Sequence, residues 1–313
     1  MKAAIIRRYG GPEVLEFTDV APPVPKDDEV VVKVHAASIN PIDWQIREGL
    51  VKMFIRPKFP AILGCDLAGE IVEVGKAATR LKVGDRVFAM MPHDWGAQAE
   101  LVALPERLVA LKPDNLTMVE AGSVGATAVT AVHALRDSAK LTAGKQVLVN
   151  GASGGVGIFA VQVAKDLGAH VTAVCGAASF DLVKSLGADV AIDYKTTDFT
   201  KSQTQFDVVF DCIGNQPHGA CKPVMRGKWV HLTTMPKGKA FLRSLLNPLT
   251  KTRVVPMIAK ATPDRIEYIR SALETGRLKT VVDKVFPTAS IVEAQAYSKA
   301  GRAKGKIVLT FER

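Results

Sequence analysis

The hydrophobic pattern divides the chain into two textures. Up to about residue 120, apolar residues come in short β-branched runs closed by turn residues: 29–36 (EVVVKVHA), 69–74 (GEIVEV, closed by Gly75), and 85–89 after the KVGD turn at 82–85. Pro12, Pro22, Pro23, Pro25, Pro41, Pro57, Pro60 and Pro92 punctuate this stretch. Short strands with frequent Pro and Gly and little helical period predict an irregular, mostly antiparallel β domain. From about residue 124 the pattern becomes strict alternation. An Ala/Thr-rich helix over 124–135 leads to strand 146–150, helix 156–167, strand 170–175 and helix 180–186. Strands at 190–193, 206–212, 228–233 and 253–258 complete six. Near-continuous apolar character in these strands predicts a parallel sheet covered on both faces. Beyond Pro263, helix 264–273, strand 280–286, helix 291–300 and strand 306–311 read as a return to the first domain. The expected boundaries are a mostly β domain over 1–122, completed by 262–313, with a doubly wound α/β domain over 123–261 inserted into it.

Composition narrows the class. Of 313 residues, 48% are hydrophobic and 23% charged, values of a globular chain that exclude disorder or a fibrous repeat. No run reaches the ~18 apolar residues of a membrane span, so no integral membrane segment is expected. The N-terminal MKAAIIRRYGG has too short an apolar run for a signal-peptide core. Cys65, Cys175, Cys212 and Cys221 form no CxxC pair, which reads as reduced thiols. Together these features lead to the expectation of a cytoplasmic protein.

Charge complicates that picture. The net charge of +10 is uneven: residues 222–313 hold 19 Lys+Arg against 6 Asp+Glu, and the first 221 hold 22 against 25. A basic C-terminal third motivates an alternative reading, a nucleic-acid or peripheral anionic-surface binder, with 241–249 (FLRSLLNPL) as an amphipathic patch. Against it, the basic residues are interspersed and aromatics make up only 6%.

The strongest local signal is VLVNGASGGVG at 147–157. Gly151, Gly154 and Gly157 follow a strand and open a helix that also begins with Gly155 and Val156. Glycine lets the backbone turn tightly and approach a pyrophosphate, which rests on amides at the helix N-terminus. The strand–turn–helix context makes this a dinucleotide fingerprint. After the second strand, Cys175 and Gly176 stand where an acid would bind ribose hydroxyls, and the first carboxylate is Asp181. Space without negative charge argues for NADPH over NADH. Ser179 is the nearest side-chain donor, with Lys184 and Tyr194 further along.

Several stretches together resemble the zinc-independent quinone oxidoreductase branch of the medium-chain dehydrogenase/reductases. They are KAAIIRRYGGPEVLEF (2–17), AASINPIDWQIREG (36–49), GCDLAGEIVEVG (64–75), GATA (125–128), VKSLGADVAIDY (183–194) and GKIVL (305–309). The runs CGAASFDLVKSLGAD, NPLTK and KTVVD look similar to chloroplast-envelope quinone oxidoreductase homologues and enone oxidoreductases. The resemblance implies a Rossmann-type sheet inserted into a GroES-like catalytic domain. It also implies NADPH-dependent reduction of a quinone or of the double bond of an α,β-unsaturated ketone or aldehyde.

Zinc-dependent relatives carry Cys at the position of Asn40 and His-Glu at that of Cys65-Asp66, so the resemblance implies no zinc. By the same likeness Asn40 is the candidate donor to a nascent oxyanion, although Asn40-Pro41 also reads as a turn device. The cofactor contacts it implies are Gln45 and Thr127; Gly155 and Val156 at the pyrophosphate; Gly176, Ser179 and Tyr194 at the adenosine ribose; Ile213, Thr233 and Thr234 toward the nicotinamide; and Arg302 closing over the cofactor. Arg302 equally reads as a solvated charge. Relatives of this kind pair the edge strands of their cofactor sheets, so a homodimer through 253–258 is expected.

Overall fold

A computed structural model describes residues 1–92, 95–234, 244, 247, 253–258 and 260–311. Most of the 241–249 patch, most of NPLTK, and His93 therefore lie outside the described residues. The chain separates into two units: 1–126 with 261–275 and 280–313, and 127–260 with 276–279.

In the first unit the strands are β1 (Lys2–Ile6), β2 (Leu15–Asp19), β3 (Glu29–Ile39), β4 (Ala61–Ile62), β5 (Asp66–Val74), β6 (Arg86–Met90), β7 (Leu101–Pro105) and β8 (Val109–Leu111). Helix α1 (Pro41–Arg47) follows β3 and α2 (Met118–Gly122) follows β8, while α3 (Gly125–Val132) begins at the end of this segment and belongs mostly to the second unit. The second unit contributes β9 (Gln146–Asn150), α4 (Gly155–Asp166), β10 (His170–Cys175), α5 (Phe180–Ser185), β11 (Val190–Asp193), β12 (Phe206–Asp211), α6 (His218–Cys221), β13 (Met225–Thr233) and β14 (Arg253–Pro256). The first unit then resumes with α7 (Pro263–Glu274), β15 (Val282–Pro287), α8 (Ile291–Lys299) and β16 (Lys306–Thr310).

β3 organises the first unit. One edge pairs with β5; along the other, Glu29–Lys33 faces β7 and Ala36–Ile39 faces β16, all antiparallel. The larger sheet runs β15-β16-β3-β5-β6-β8, and a smaller one runs β2-β1-β4. Val30, Val32 and Val34 of β3 are buried with Leu67, Ile71, Val87 and Leu104. Each such side chain stabilises the fold by about 1.5–3 kcal/mol through removal from water.

In the second unit six parallel strands follow the order β11-β10-β9-β12-β13-β14, the doubly wound dinucleotide order. Strand order reverses between β9 and β12, where Asn150 lies beside Asp211. Ligands of such sheets bind outside the carboxyl ends of the strands at this switch point. The strands themselves are apolar: Val147, Leu148, Val149, Val171, Ala173, Val209 and Phe210 are fully buried, as a sheet covered on both faces requires.

The sequence pattern did not predict α1. Its Asn-Pro start reads as a turn, yet Asn40 is the N-cap, Pro41 fills the first helical position, and Asp43 accepts from the Asn40 amide at 2.8 Å. Proline costs nothing at that position because its missing N–H would be unpaired there anyway.

Candidate active site

The glycine turn is built as a cradle. Gly151 leaves β9 at φ +77°, a left-handed conformation that side chains other than glycine's rarely adopt. Its amide donates to Val174 O at 3.0 Å, and its carbonyl accepts from Gly154 N at 3.0 Å. A Cβ on Gly157 would lie 2.1 Å from Gly151 O, so only glycine allows α4 to approach the turn this closely. Gly154 is the N-cap of α4 with no side-chain cap bond, and a Cβ there would meet only Gly151 O at 3.4 Å. Gly155 and Val156 are half-buried in the first turn. An uncapped helix N-terminus with room above it fits a dinucleotide pyrophosphate.

Gly176 caps the turn after β10, and a Cβ on it would lie 3.7 Å from Tyr194 Cε1. Two of the residues expected at the adenosine ribose are thus neighbours. Tyr194 is 61% exposed, whereas Ser179 is buried, its amide donating to Gly176 O at 2.9 Å. Ile213 packs over the glycine turn: a Cβ on Gly151 would meet its Cδ1 at 2.5 Å. Thr233 is buried at the end of β13, and Thr234 Oγ donates to Cys212 O at 2.8 Å. Thr127 is buried on α3.

Asp211 was missed from sequence, although an acid closing an apolar strand is a visible signal. It is buried at the end of β12 and accepts from Asn150 Nδ2 at 2.9 Å and from the amides of Ile213, Gly214 and Gln216 at 2.8–3.1 Å. One carboxylate therefore ties down the loop after β12 at the switch point. Buried acceptors of this kind are held by several charge-assisted bonds.

The first unit holds a separate, fully buried polar cluster. Asn40, 5% exposed, accepts at Oδ1 from Lys306 Nζ at 2.6 Å. Its Nδ2 faces Asp66 Oδ2 at 3.0 Å, Ser38 Oγ at 3.0 Å and Cys65 Sγ at 3.4 Å. Asp66 also accepts from Ser38 Oγ and the Ala126 amide, and lies 3.5 Å from Lys306 Nζ. This modifies the expectation for Asn40. With two amide hydrogens and three internal acceptors, its carboxamide is a fixed member of a network rather than a free donor.

Asp43 sits behind this cluster, fully buried, and accepts from Gln98 Nε2 at 3.2 Å as well as from the Asn40 amide. Burial, with the nearby Asp66 charge adding to it, pushes its carboxyl up to about 7. Asp43 Oδ1 and Gln98 Oε1 are both buried without a hydrogen-bond partner. Gln45 is buried on α1 with its Oε1 likewise unpartnered. Trp44 is half-buried under Lys299 Nζ, 5.6 Å from its ring. Arg302 is exposed in the loop before β16.

A divalent metal does not fit this cluster. Lys306 already brings a positive charge against Asp66, and Asn40 Oδ1 is taken by that ammonium. Burial, then Asp66 and Asp43, hold the Cys65 thiol well above its ordinary range. Among the described residues no group of three or more His, Cys, Asp or Glu could hold a metal ion.

Comparison with known proteins agrees with this construction. Residues 26–114 match the alcohol dehydrogenase GroES-like domain, and residues 186–309 match the zinc-binding dehydrogenase family. The chain is 36% identical to the chloroplast envelope quinone oxidoreductase homolog of Arabidopsis thaliana, over 99% of this chain and 98% of that one. It is 34% identical to the chloroplastic NADPH-dependent alkenal/one oxidoreductase of the same plant, over 99% of this chain and 79% of the other. A mitochondrial NAD(P)H oxidoreductase of Bos taurus is 33% identical over 99% and 89%. Among solved structures, the quinone oxidoreductase from Coxiella burnetii superposes with a TM-score of 0.89 at 26% identity, covering 100% of this chain and 99% of that one.

The fold and the glycine cradle define an NAD(P)-dependent oxidoreductase. The chain belongs to the medium-chain dehydrogenase/reductase superfamily, in the group of the quinone oxidoreductase homologues. The expectation of a cytoplasmic protein is overturned, because these near-full-length relatives are chloroplastic and mitochondrial proteins. It had rested on the reduced-thiol reading and the short apolar N-terminal run, and neither distinguishes the cytosol from an organelle interior.

Proposed function

We propose that the protein is an NADPH-dependent reductase that transfers hydride, without zinc, to a quinone or to the double bond of an α,β-unsaturated ketone or aldehyde. The observation that carries this reading is the glycine cradle at the head of a doubly wound sheet. The names of the chloroplast quinone oxidoreductase and alkenal/one oxidoreductase relatives supply the acceptor class.

NADPH, when bound, supplies the hydride; the acceptor takes it together with one proton from solvent or protein, giving quinol or saturated carbonyl. In this reading the amides of Gly155 and Val156 hold the pyrophosphate, with Gly151, Gly154 and Gly157 shaping the approach. Gly176, Ser179 and Tyr194 receive the adenosine ribose. The absence of an acid after β10 supports NADPH over NADH, since a carboxylate there would repel a 2′-phosphate. Thr127, Ile213, Thr233, Thr234 and Arg302 complete the proposed cofactor contacts. Gln45, with its buried unpartnered oxygen, joins them as an acceptor awaiting a donor. Asn40 serves the acceptor half through the network that fixes it. Orientation of hydride against acceptor is then the main catalytic device.

A homodimer through β14 also belongs to the proposal: β14 ends the path of the six-stranded sheet, and an unpaired strand edge is normally covered. Stopped-flow NADPH oxidation against a panel of quinones and alkyl enones tests the activity. Turnover with members of either class is expected, and none with any acceptor would overturn it.

A further inference from the structure

Lys306 is the only buried lysine among the described residues, 2% exposed on a side chain that almost always reaches water. β16 delivers it by register: Ile307 pairs with Ile39, which sets Lys306 opposite Asn40. Gly305, at φ +98°, turns the chain into that strand, and a Cβ there would lie 2.3 Å from Val281 O. The ammonium thus enters along a backbone path that glycine alone allows, and meets two groups with no solvent near them.

Those groups are Asn40 Oδ1 at 2.6 Å and Asp66 Oδ2 at 3.5 Å. Asp66 is 0% exposed, and Lys306 is the only cation within ion-pair distance of it among the described residues. Every polar atom of the Asn40 side chain is held, its oxygen by Lys306 and its nitrogen by Asp66, Ser38 and Cys65. The matching family is described as zinc-binding, and here the positive charge of the cluster comes from the chain itself.

We infer that Lys306 is the resident cation of this site and its chief positioning residue: it offsets Asp66 and locks the Asn40 carboxamide, the two tasks a metal ion performs for its ligands. The kinetic part rests on the reductase reading above; the metal and stability parts stand without it.

The test uses the protein with Lys306→Met, Lys306→Gln and the double variant Lys306→Met/Asp66→Asn. Lys306→Met leaves a buried carboxylate unmatched, so its melting temperature drops, whereas the double variant removes both charges, keeps a carboxamide for the donors around Asp66, and recovers most of it. Lys306→Gln can still donate to Asn40 but brings no charge, so it melts low like Lys306→Met. In the double variant kcat stays down by roughly 10- to 100-fold, the usual loss when an outer hydrogen-bonding partner of a catalytic ligand is removed. The Kd for NADPH, read by nicotinamide fluorescence, stays near wild type. A double variant that recovers both melting temperature and kcat would make the pair purely structural and overturn the inference. So would wild-type protein that takes up Co(II) stoichiometrically with a cysteine-to-cobalt absorption band, because the lysine would then not be the cation of the site. Should no acceptor be turned over at all, the reductase reading fails, while the melting and cobalt results still decide the role of Lys306.

Discussion

Replacing Asp43 by Asn isolates the buried carboxyl of the first unit. The folded state holds Asp43 at about 7 against an ordinary 3.8, chiefly through burial. A carboxyl raised in this way binds its proton more tightly when folded than when unfolded. The stability it contributes is therefore complete below about 4 and is lost as pH rises to about 7. The gap corresponds to about 4 kcal/mol, lost at about 1.4 kcal/mol per pH unit. No solvent screening reduces it, because the side chain is fully buried. Gln98 Nε2 already donates to Asp43 Oδ2, and the remaining oxygens of the two groups, Asp43 Oδ1 and Gln98 Oε1, lack partners. A protonated Asp43 can donate a hydrogen bond where the carboxylate can only accept.

Asn at this position keeps the shape and neutrality of the protonated form, with an oxygen placed to accept from Gln98 and from the Asn40 amide. Urea denaturation of wild type and Asp43→Asn at half-unit steps from pH 4.5 to 7.5 gives the difference directly. Groups common to both proteins cancel, among them His231, which burial lowers and which therefore works in the opposite sense, losing stability as pH falls. The variant should gain on wild type by about 1.4 kcal/mol per pH unit across this range. A difference that stays flat with pH would show that Asp43 is ionised throughout, and would refute the raised carboxyl.

The cofactor unit offers two further tests. Gly157→Ala sets a Cβ against backbone atoms of Gly151 and Ala152; NADPH affinity should fall at least about tenfold, matching an overpacking cost of about 1–3 kcal/mol. Gly144→Ala, at φ +78° with open space around it, controls for backbone strain alone, and equal NADPH Kd values for both variants would contradict the cradle. Gly176→Asp has room, with only Tyr194 Cε1 at 3.7 Å, and installs the missing acid. Its ratio of kcat/KM for NADPH over NADH should shift roughly 10- to 100-fold toward NADH by charge repulsion at partly screened distance. An unchanged ratio would argue against a 2′-phosphate beside Gly176.

The cofactor sheet was legible because its strands are apolar on both faces and its glycines are confined to one turn; β9, β10 and β11 fall at the residues the pattern predicts. The first unit was harder to read. β1, β2, β4, β7 and β8 have at most five residues each, too few for period-two alternation to separate from noise. α1 is a seven-residue helix whose signal lies in its cap, Asn-Pro-x-Asp, and not in hydrophobic period. The polar cluster was legible only in part. Asn40, Cys65 and Asp66 stood out by resemblance, but Lys306 lies 266 positions from Asn40 and sat within a run of basic residues that reads as solvated surface. Only strand register brings it inward. Asp211 was visible as an acid closing an apolar strand, but most of its partners are backbone amides, which leave no mark in the sequence.

The distance in sequence between Lys306 and Asn40 has a consequence for how the protein is made. β3 leaves the ribosome long before β16, and one stretch of its edge has no mate until β16 arrives. At about 5–20 residues per second, the intervening 266 positions take roughly 13 to 53 s to synthesise. Throughout that interval Asp66 has no cation, so the nascent first unit is held short of its final core while the parallel sheet of the second unit can fold. Completion of the site therefore waits for β16, and a polypeptide released before that strand lacks the charge that seals its own interior.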